Sequence, residues 1–332
     1  MLKRKESPRV YRRGNDGYLG GMVVYKVFID GGHGTTGLRI NEYLSSRQDI
    51  EIISIDPEMR KDTGARLEKI QEADVSILCL PDQAAKEIAA AAPDDAVLID
   101  TSSAHRTSEG WTYGMPELTA GQRGRIAGST RIANPGCHAS GFILLVRPLI
   151  EAGLLDAESL LTCFCMTGYS GGGKSMIGRY ESPDRPAELD SPAQYALGQT
   201  HKHLPEMVKM SGIAHKPCFC PVVGDFYSGM VMTVPLHASQ LAVSAGLDDI
   251  RSVLQQHYEG EALVKVAETI PEDGFMYSNP MAGSNGMQLF VGGNSDRILL
   301  MASYDNLGKG ASGAAVQNLN IVLGTDETTG LL

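Results

Sequence analysis

The chain has 332 residues, 42% of them hydrophobic, so it can bury a sizeable core and is long enough for two domains. Its 39 acidic and 29 basic residues leave a formal charge of -10, which argues against a broad nucleic-acid surface but not against one small basic pocket. No apolar run reaches the roughly 18 residues that a membrane helix needs, so neither nucleic acid nor membrane is expected as a partner.

Residues 1–22 are partly basic with no apolar stretch after them, which does not fit a secretory signal. They read as a disordered tail or an upstream extension, with Met22 as the effective start. Six scattered cysteines suit free thiols in a reducing cytoplasm better than a disulfide framework. Residues 23–29 form a β-branched apolar run, as a buried parallel strand would. The run enters Asp30-Gly31-Gly32-His33-Gly34-Thr35-Thr36-Gly37, after which Leu38, Ile40 and Leu44 recur at helical spacing. Strand, glycine turn and helix in this order are the context of a dinucleotide site, where backbone approaches pyrophosphate and helix N–H groups face it. Gly31, Gly34, Thr35, Thr36 and Gly37 are therefore candidate cofactor contacts. The spacing is G-x-x-G-x-x-G, and no G-K-[ST] follows, which disfavours an ATP-type loop.

Further strands are expected over residues 51–55, 75–80 and 97–99, with helices over 64–72 and 83–92 between them. This alternation is that of an open α/β sheet. Asp56 could accept from a ribose 2′-hydroxyl, favouring NAD, or be an ordinary loop carboxylate; Arg60 and Lys61 could instead hold the 2′-phosphate of NADP. The polar stretch 100–106 follows a strand end, where ligands of such sheets bind. It offers Ser102 to a cofactor and Arg106 to a phosphate or carboxylate, or Arg106 is a plain surface arginine.

Asn134-Pro135-Gly136-Cys137 precedes an apolar helical stretch at 142–149, which places Cys137 near a helix N-terminus. A thiolate there could attack an acyl phosphate or aldehyde while backbone N–H groups receive the oxyanion. Cys79 reads as strand core. Cys163, Cys165, Cys218 and Cys220 lack knuckle spacing for zinc and read as small buried hydrophobes, so no metal site is expected. His201-Lys202-His203-Leu204-Pro205-Glu206 supplies two histidines on one face of an extended segment, as acid–base partners or as solvent residues. The loop 168–174, with Ser170 and Lys174, resembles an anion cradle or a flexible hairpin. Residues 306–313 lead into a small-residue helix ending at 323.

Strands are expected over 160–166, 219–223, 229–236, 263–266, 288–292 and 297–303, and a helix over 247–258. That density of strands suggests an α+β domain on a mixed or antiparallel sheet. Residues 178–199 read as an excursion that orders on assembly.

Together these motifs resemble the N-acetyl-gamma-glutamyl-phosphate reductases of the shorter, second type, near the aspartate-semialdehyde dehydrogenase superfamily. The likeness runs over about residues 26–323, and Asn-Pro-Gly-Cys followed by His-x-His-x-Pro-Glu is its most specific part. It implies an α/β chain with a Rossmann-like parallel-sheet cofactor domain (23–138 with 305–332) and an inserted α+β catalytic domain (139–304). It also implies a homodimer or homotetramer, and a final helix that returns to the cofactor domain. The implied activity is NADP-dependent conversion of N-acetyl-L-glutamyl 5-phosphate to the 5-semialdehyde, with release of phosphate, in arginine biosynthesis. Cys137 would be the nucleophile, and His201 or His203 its partner, with His203 favoured because it lies nearer Pro205. Glu206 would orient the imidazole or meet substrate; Arg106, Ser170 and Lys174 would hold substrate; Ser102, Asn306, Gly308 and Lys309 would join the cofactor contacts. The nearest rival is aspartate-semialdehyde dehydrogenase, with the same chemistry on an unacetylated substrate. A non-catalytic nucleotide-binding regulator leaves Cys137 and the histidines unexplained, and a Cys–His hydrolase leaves the glycine loop without purpose.

Overall fold

The computed structural model describes residues 18–19 and 22–332. Most of the expected N-terminal tail thus lies outside the described residues; strand β1 (Tyr18–Leu19) pairs antiparallel with β2 (Met22–Val23). The chain divides into two compact units, one running through Asn134 and resuming with Ala315–Leu332, the other Pro135–Ala314. The junctions therefore place Cys137 and residues 305–314 in the second unit, not the first. Among the described residues no helix is long and apolar enough to cross a membrane.

In the first unit the strands are β3 (Tyr25–Asp30), β4 (Ile50–Ile53), β5 (Val75–Leu78), β6 (Leu98–Asp100), β7 (Thr112–Tyr113) and β8 (Arg131–Ala133). Helices α1 (Thr35–Ser45), α2 (Thr63–Glu72), α3 (Asp82–Ala91) and α4 (Gln122–Ala127) connect them. All six strands are parallel, in the order β4-β3-β5-β6-β8-β7. Parallel strands need covered faces, and Phe28, Ile53, Leu78 and Leu98 supply one apolar layer against Ile70 and Ile88. After β3 the chain steps to one side for β4 and returns to the other for β5, so the loops leaving β3 and β5 part there. That reversal is where open α/β sheets hold ligands. The last helix, α9 (Gly313–Leu323), is tied to this unit from Ala315 onward: Asn318 Nδ2 donates to Gly114 O at 2.8 Å and to Asn134 Oδ1 at 3.1 Å.

The second unit carries α5 (Cys137–Glu151), β9 (Thr162–Gly168), α6 (Gly173–Tyr180), β10 (Ala193–Gln194), α7 (Leu204–Ser211), β11 (Cys218–Gly224) and β12 (Met230–His237). It continues with α8 (Leu247–His257), β13 (Val264–Val266), β14 (Met287–Gly293) and β15 (Arg297–Tyr304). The sheet is mixed, in the order β10-β11-β9-β12-β15-β14-β13, with parallel pairs only at β11/β9 and β14/β13. Helix α5 is apolar on nearly every side, as a core helix must be, and packs on β12 and β15 between α7 and α8. Pro148 inside it has no N–H for Leu144 O; Tyr258 fills the gap, its hydroxyl donating to that carbonyl at 2.7 Å. Met232, Val234, Leu300 and Ala302 face α5, whereas Phe164, Pro235 and Leu299 alternate onto an open face.

Two expectations are corrected here. Cys163 and Cys165 are buried on the α5 side of the sheet, while Cys218 and Cys220 take the open face, so Cys218 is exposed instead of buried. Residues 178–199 are ordered within the chain: Tyr180 and Leu189 are buried with Val223, and β10 adds to the sheet edge at β11. Gln199 closes that edge by imitating a strand, its amide donating to Phe219 O at 2.7 Å and accepting from Phe219 N at 2.9 Å.

Candidate active site

Cys137 is the first residue of α5, after a turn that leaves β8. Gly136 caps the helix with no side chain of its own, and the carboxylate of Glu206 takes over, accepting from Gly136 N at 2.8 Å. Glu206 is buried in the first turn of α7, started by Pro205. Its bond from Gly136 N fixes the backbone that presents Cys137. Tyr304 adds a second tether, donating to Cys137 O at 2.7 Å. Gly310 lets its strand-to-helix loop lie close: a Cβ there would stand 2.9 Å from the Cys137 Cβ.

The ring nitrogen that meets the thiol is Nδ1 of His138, 3.3 Å from Sγ. On the far side of that ring, Nε2 is 2.9 Å from the Tyr195 hydroxyl. His201 packs edge-on against it and His203 at a tilt, with ring centroids 5.6 and 5.3 Å from that of His138. His203 brings a ring nitrogen within 4.8 Å of both the sulfur and the His138 nitrogen, and its backbone N–H donates to His201 Nδ1 at 3.3 Å. Burial, and after it the neighbouring His201, push His138 down to about 3, so the ring is neutral at physiological pH. Burial also pushes the Tyr195 phenol up, helped by the sulfurs of Cys137 and Cys165, so it keeps its proton. A neutral imidazole between these two groups has two useful tautomers. With the proton on Nδ1 it donates to a thiolate and accepts from Tyr195; with the proton on Nε2 it accepts from a thiol and donates to Tyr195. Sequence reasoning assigned His138 no role, although its place beside Cys137 was a signal; nothing in the sequence points to Tyr195.

The other expected substrate residues fall in two places. Ser170 is buried, and its Oγ accepts from Asn306 Nδ2 at 2.9 Å, while Asn306 Oδ1 accepts from Gly229 N at 2.9 Å. Asn306 therefore positions Ser170 within the second unit. Lys174 is exposed in the first turn of α6. Gly308 and Lys309 begin a π-helical turn, where the Asp305 carboxylate accepts from Leu307 N at 2.6 Å and Gly308 N at 3.1 Å. In the first unit, Arg106 is buried; Nε donates to Asn134 O at 2.9 Å and Nη2 to Thr101 O at 3.0 Å, so it steadies the approach to Pro135. Ser102 donates to Asp100 at 2.8 Å, and the same carboxylate is 2.6 Å from His105 Nδ1, so Ser102 serves its own loop.

The glycine loop opens on a cleft of about 620 Å³ at the ends of β3, β4 and β5, lined by Gly31, Gly34, Arg60 and Lys61 among others. Gly31 has φ +82°, and a Cβ there would meet Cys79 O at 2.3 Å; one on Gly37 would meet Gly32 Cα at 2.6 Å. These glycines let loop, helix and the end of β5 close on one another. Cys79 lies just past β5, lining the cleft instead of the strand core, and burial pushes its thiol up to about 12. The buried Oγ of Thr35, in the first turn of α1, has no hydrogen-bond partner. An unmatched donor at an uncapped helix start fits a pyrophosphate. Asp56 is exposed and accepts from Glu58 N at 2.9 Å, the ordinary loop role. Asp30, buried at the end of β3, is pushed up to about 6 by burial, against the pull of Arg66 at 3.4 Å.

Comparison with known proteins agrees with this layout. Residues 137–306 match the family described as semialdehyde dehydrogenase, dimerisation domain, and residues 56–124 that described as semialdehyde dehydrogenase, NAD binding domain. Solved structures with the same fold include an aspartate semialdehyde dehydrogenase from Francisella tularensis (TM-score 0.69, 15% identity, covering 90% of this chain and 100% of that one). Another is aspartate semialdehyde dehydrogenase II from Vibrio cholerae (TM-score 0.68, 16% identity, covering 90% and 98%). Among curated relatives, N-acetyl-gamma-glutamyl-phosphate reductase 2 of Nostoc sp. is 45% identical over 318 residues, covering 92% of this chain and 99% of that protein. The N-acetyl-gamma-glutamyl-phosphate reductase of Brucella suis is 44% identical over 306 residues, covering 90% and 99%. With such identity along almost its full length, and with a cysteine at a helix start in one unit and a nucleotide-type glycine loop in the other, the chain belongs to the N-acetyl-gamma-glutamyl-phosphate reductase family.

Proposed function

We propose that this enzyme converts N-acetyl-L-glutamyl 5-phosphate and NADPH to N-acetyl-L-glutamate 5-semialdehyde, NADP and phosphate, a step of arginine biosynthesis. The observation that carries the chemistry is the contact of Cys137 Sγ with His138 Nδ1 at the start of α5. Once the Cys137 proton has passed to solvent, neutral His138 holds the sulfur as thiolate by donating from Nδ1, while its Nε2 accepts from the Tyr195 hydroxyl. The thiolate attacks the acyl carbon, the N–H groups of the first turn of α5 stabilise the oxyanion, and phosphate leaves to give a thioester on Cys137. When bound, NADPH supplies the hydride that reduces this thioester. The resulting thiohemiacetal oxyanion then collapses to aldehyde and thiolate, and His203, with a ring nitrogen within 4.8 Å of the sulfur, is the candidate to exchange a proton with the substrate oxygen. Ser170 and Lys174 are the candidates for holding the substrate phosphate or carboxylate, and Arg106 acts through the loop it steadies.

NADP is favoured over NAD because Arg60, Lys61 and Arg66 line the cleft while Asp56 is engaged in its own turn. A homodimer or homotetramer built on the open sheet face suits Phe164 and Leu299, both 39% exposed there. The free cysteines suit a cytoplasmic enzyme. The test is the reverse reaction, with N-acetylglutamate semialdehyde or aspartate semialdehyde, phosphate or arsenate, and NADP or NAD. NADP reduction with the acetylated substrate is the expected result; activity with aspartate semialdehyde alone overturns it. Cys137→Ser is expected to lower kcat by roughly a thousandfold or more, since it removes the nucleophile itself.

A further inference from the structure

Cys137, His138 and His203 each offer one ligand atom, and the three atoms lie within 4.8 Å of one another. A tetrahedral zinc ion with bonds of ~2.3 Å to sulfur and ~2.0 Å to nitrogen would set its sulfur and nitrogen ligands ~3.5 Å apart. The observed Sγ to Nδ1 separation is 3.3 Å, so that pair already has the spacing, and His203 needs a shift of an ångström or so. One thiolate and two imidazoles form a soft, borderline donor set that prefers zinc-class cations to magnesium or calcium. The set also has the outer support that lasting sites need: Nε2 of His138 lies 2.9 Å from the Tyr195 hydroxyl, which fixes the ring with Nδ1 turned to the sulfur. His203 is held at the N-terminus of α7, whose Glu206 also secures the turn before Cys137.

From this geometry we infer that Cys137, His138 and His203 form a reversible binding site for a zinc-class thiophilic divalent cation that shuts the enzyme off by occupying the nucleophile. Three protein ligands leave a fourth position for water, an open coordination unlike that of a closed four-ligand structural site. Such an ion blocks attack on the acyl carbon, and removing it with a chelator restores the thiolate. The inference stands on ligand geometry and is independent of which acyl phosphate is the substrate.

Zinc binding to the full-length protein, measured by competition with a chromophoric chelator, tests it without any turnover. One ion per chain is expected, with Tyr195→Phe weakening affinity about tenfold through the lost outer-shell contact. Cys137→Ser and His203→Gln should weaken it further, and cobalt should give a thiolate charge-transfer band that Cys137→Ser abolishes. Affinity unchanged in Cys137→Ser and His203→Gln overturns the site. Should a variant fold poorly, alkylation of the parent protein by iodoacetamide, read at each cysteine by mass spectrometry, replaces it. Zinc, but not magnesium, is expected to slow labelling of Cys137 about tenfold or more while leaving exposed Cys218 less affected; equal labelling of Cys137 with and without saturating zinc overturns the proposal.

Discussion

At Cys137 the useful property of the neighbouring ring is its neutrality, because a ring held near 3 can change tautomer without gaining charge. Tyr195→Phe removes the hydroxyl that pairs with Nε2 of His138 in either tautomer and so holds the ring against the sulfur. It is expected to lower kcat by about tenfold to a hundredfold with little change in the cofactor KM, and to alter the pH profile, which a merely structural residue would leave in place. Asp30 makes a second prediction at this scale. Its carboxyl is raised to about 6 in the folded protein from 3.8, so ionisation is what costs the native state. That cost is absent below pH 4 and develops as the pH rises through 6. Asp30→Asn should therefore match the parent in thermal stability near pH 4 and exceed it above pH 7, by about 1–3 kcal/mol. A pH-independent difference would show that burial does not govern this group. Cys137 was legible as a residue because glycine, helix start and thiol are contiguous. Tyr195 was not, since its 57-residue separation from His138 is closed only by folding.

The elements were mostly readable from periodicity: the glycine-loop strand, the core strands and the apolar helix α5 all fall within a few residues of their expected spans. Strand β3 starts after a break at Val24, and Cys79 lies beyond β5, because boundaries depend on hydrogen bonds to neighbours that local sequence does not contain. Residues 178–199 misled for the same reason; their few apolar side chains are spent on a partner strand distant in sequence. Within α5, Pro148 and Tyr258 form a compensating pair. Tyr258→Phe should destabilise the protein by about 1–3 kcal/mol, leaving Leu144 O buried without its donor. In a Pro148→Ala background, where residue 148 regains its N–H, the same change should cost much less. Equal costs in both backgrounds, measured by denaturant unfolding, would show the two residues to be uncoupled.

At the scale of the molecule, the open face of the mixed sheet carries Phe164 and Leu299 beside Pro235, an exposed apolar surface that a second copy of the chain could cover, as proposed above. Sedimentation should therefore report two or four chains, and Leu299→Glu should shift the protein towards single chains without unfolding it. By itself the sequence determined the parallel cofactor sheet, a second strand-rich domain on a mixed or antiparallel sheet, the helix-start cysteine and the glycine loop, because each follows from local patterning, and it pointed to the family through the order of its motifs. Only the tertiary structure decided which imidazole meets the sulfur, that Glu206 serves the helix cap, that Asn306 holds Ser170, and which cysteines face solvent. The physical reason is common to all four: hydrogen-bond partners and sheet faces are set by register and packing between segments far apart in the chain, and no local pattern encodes them.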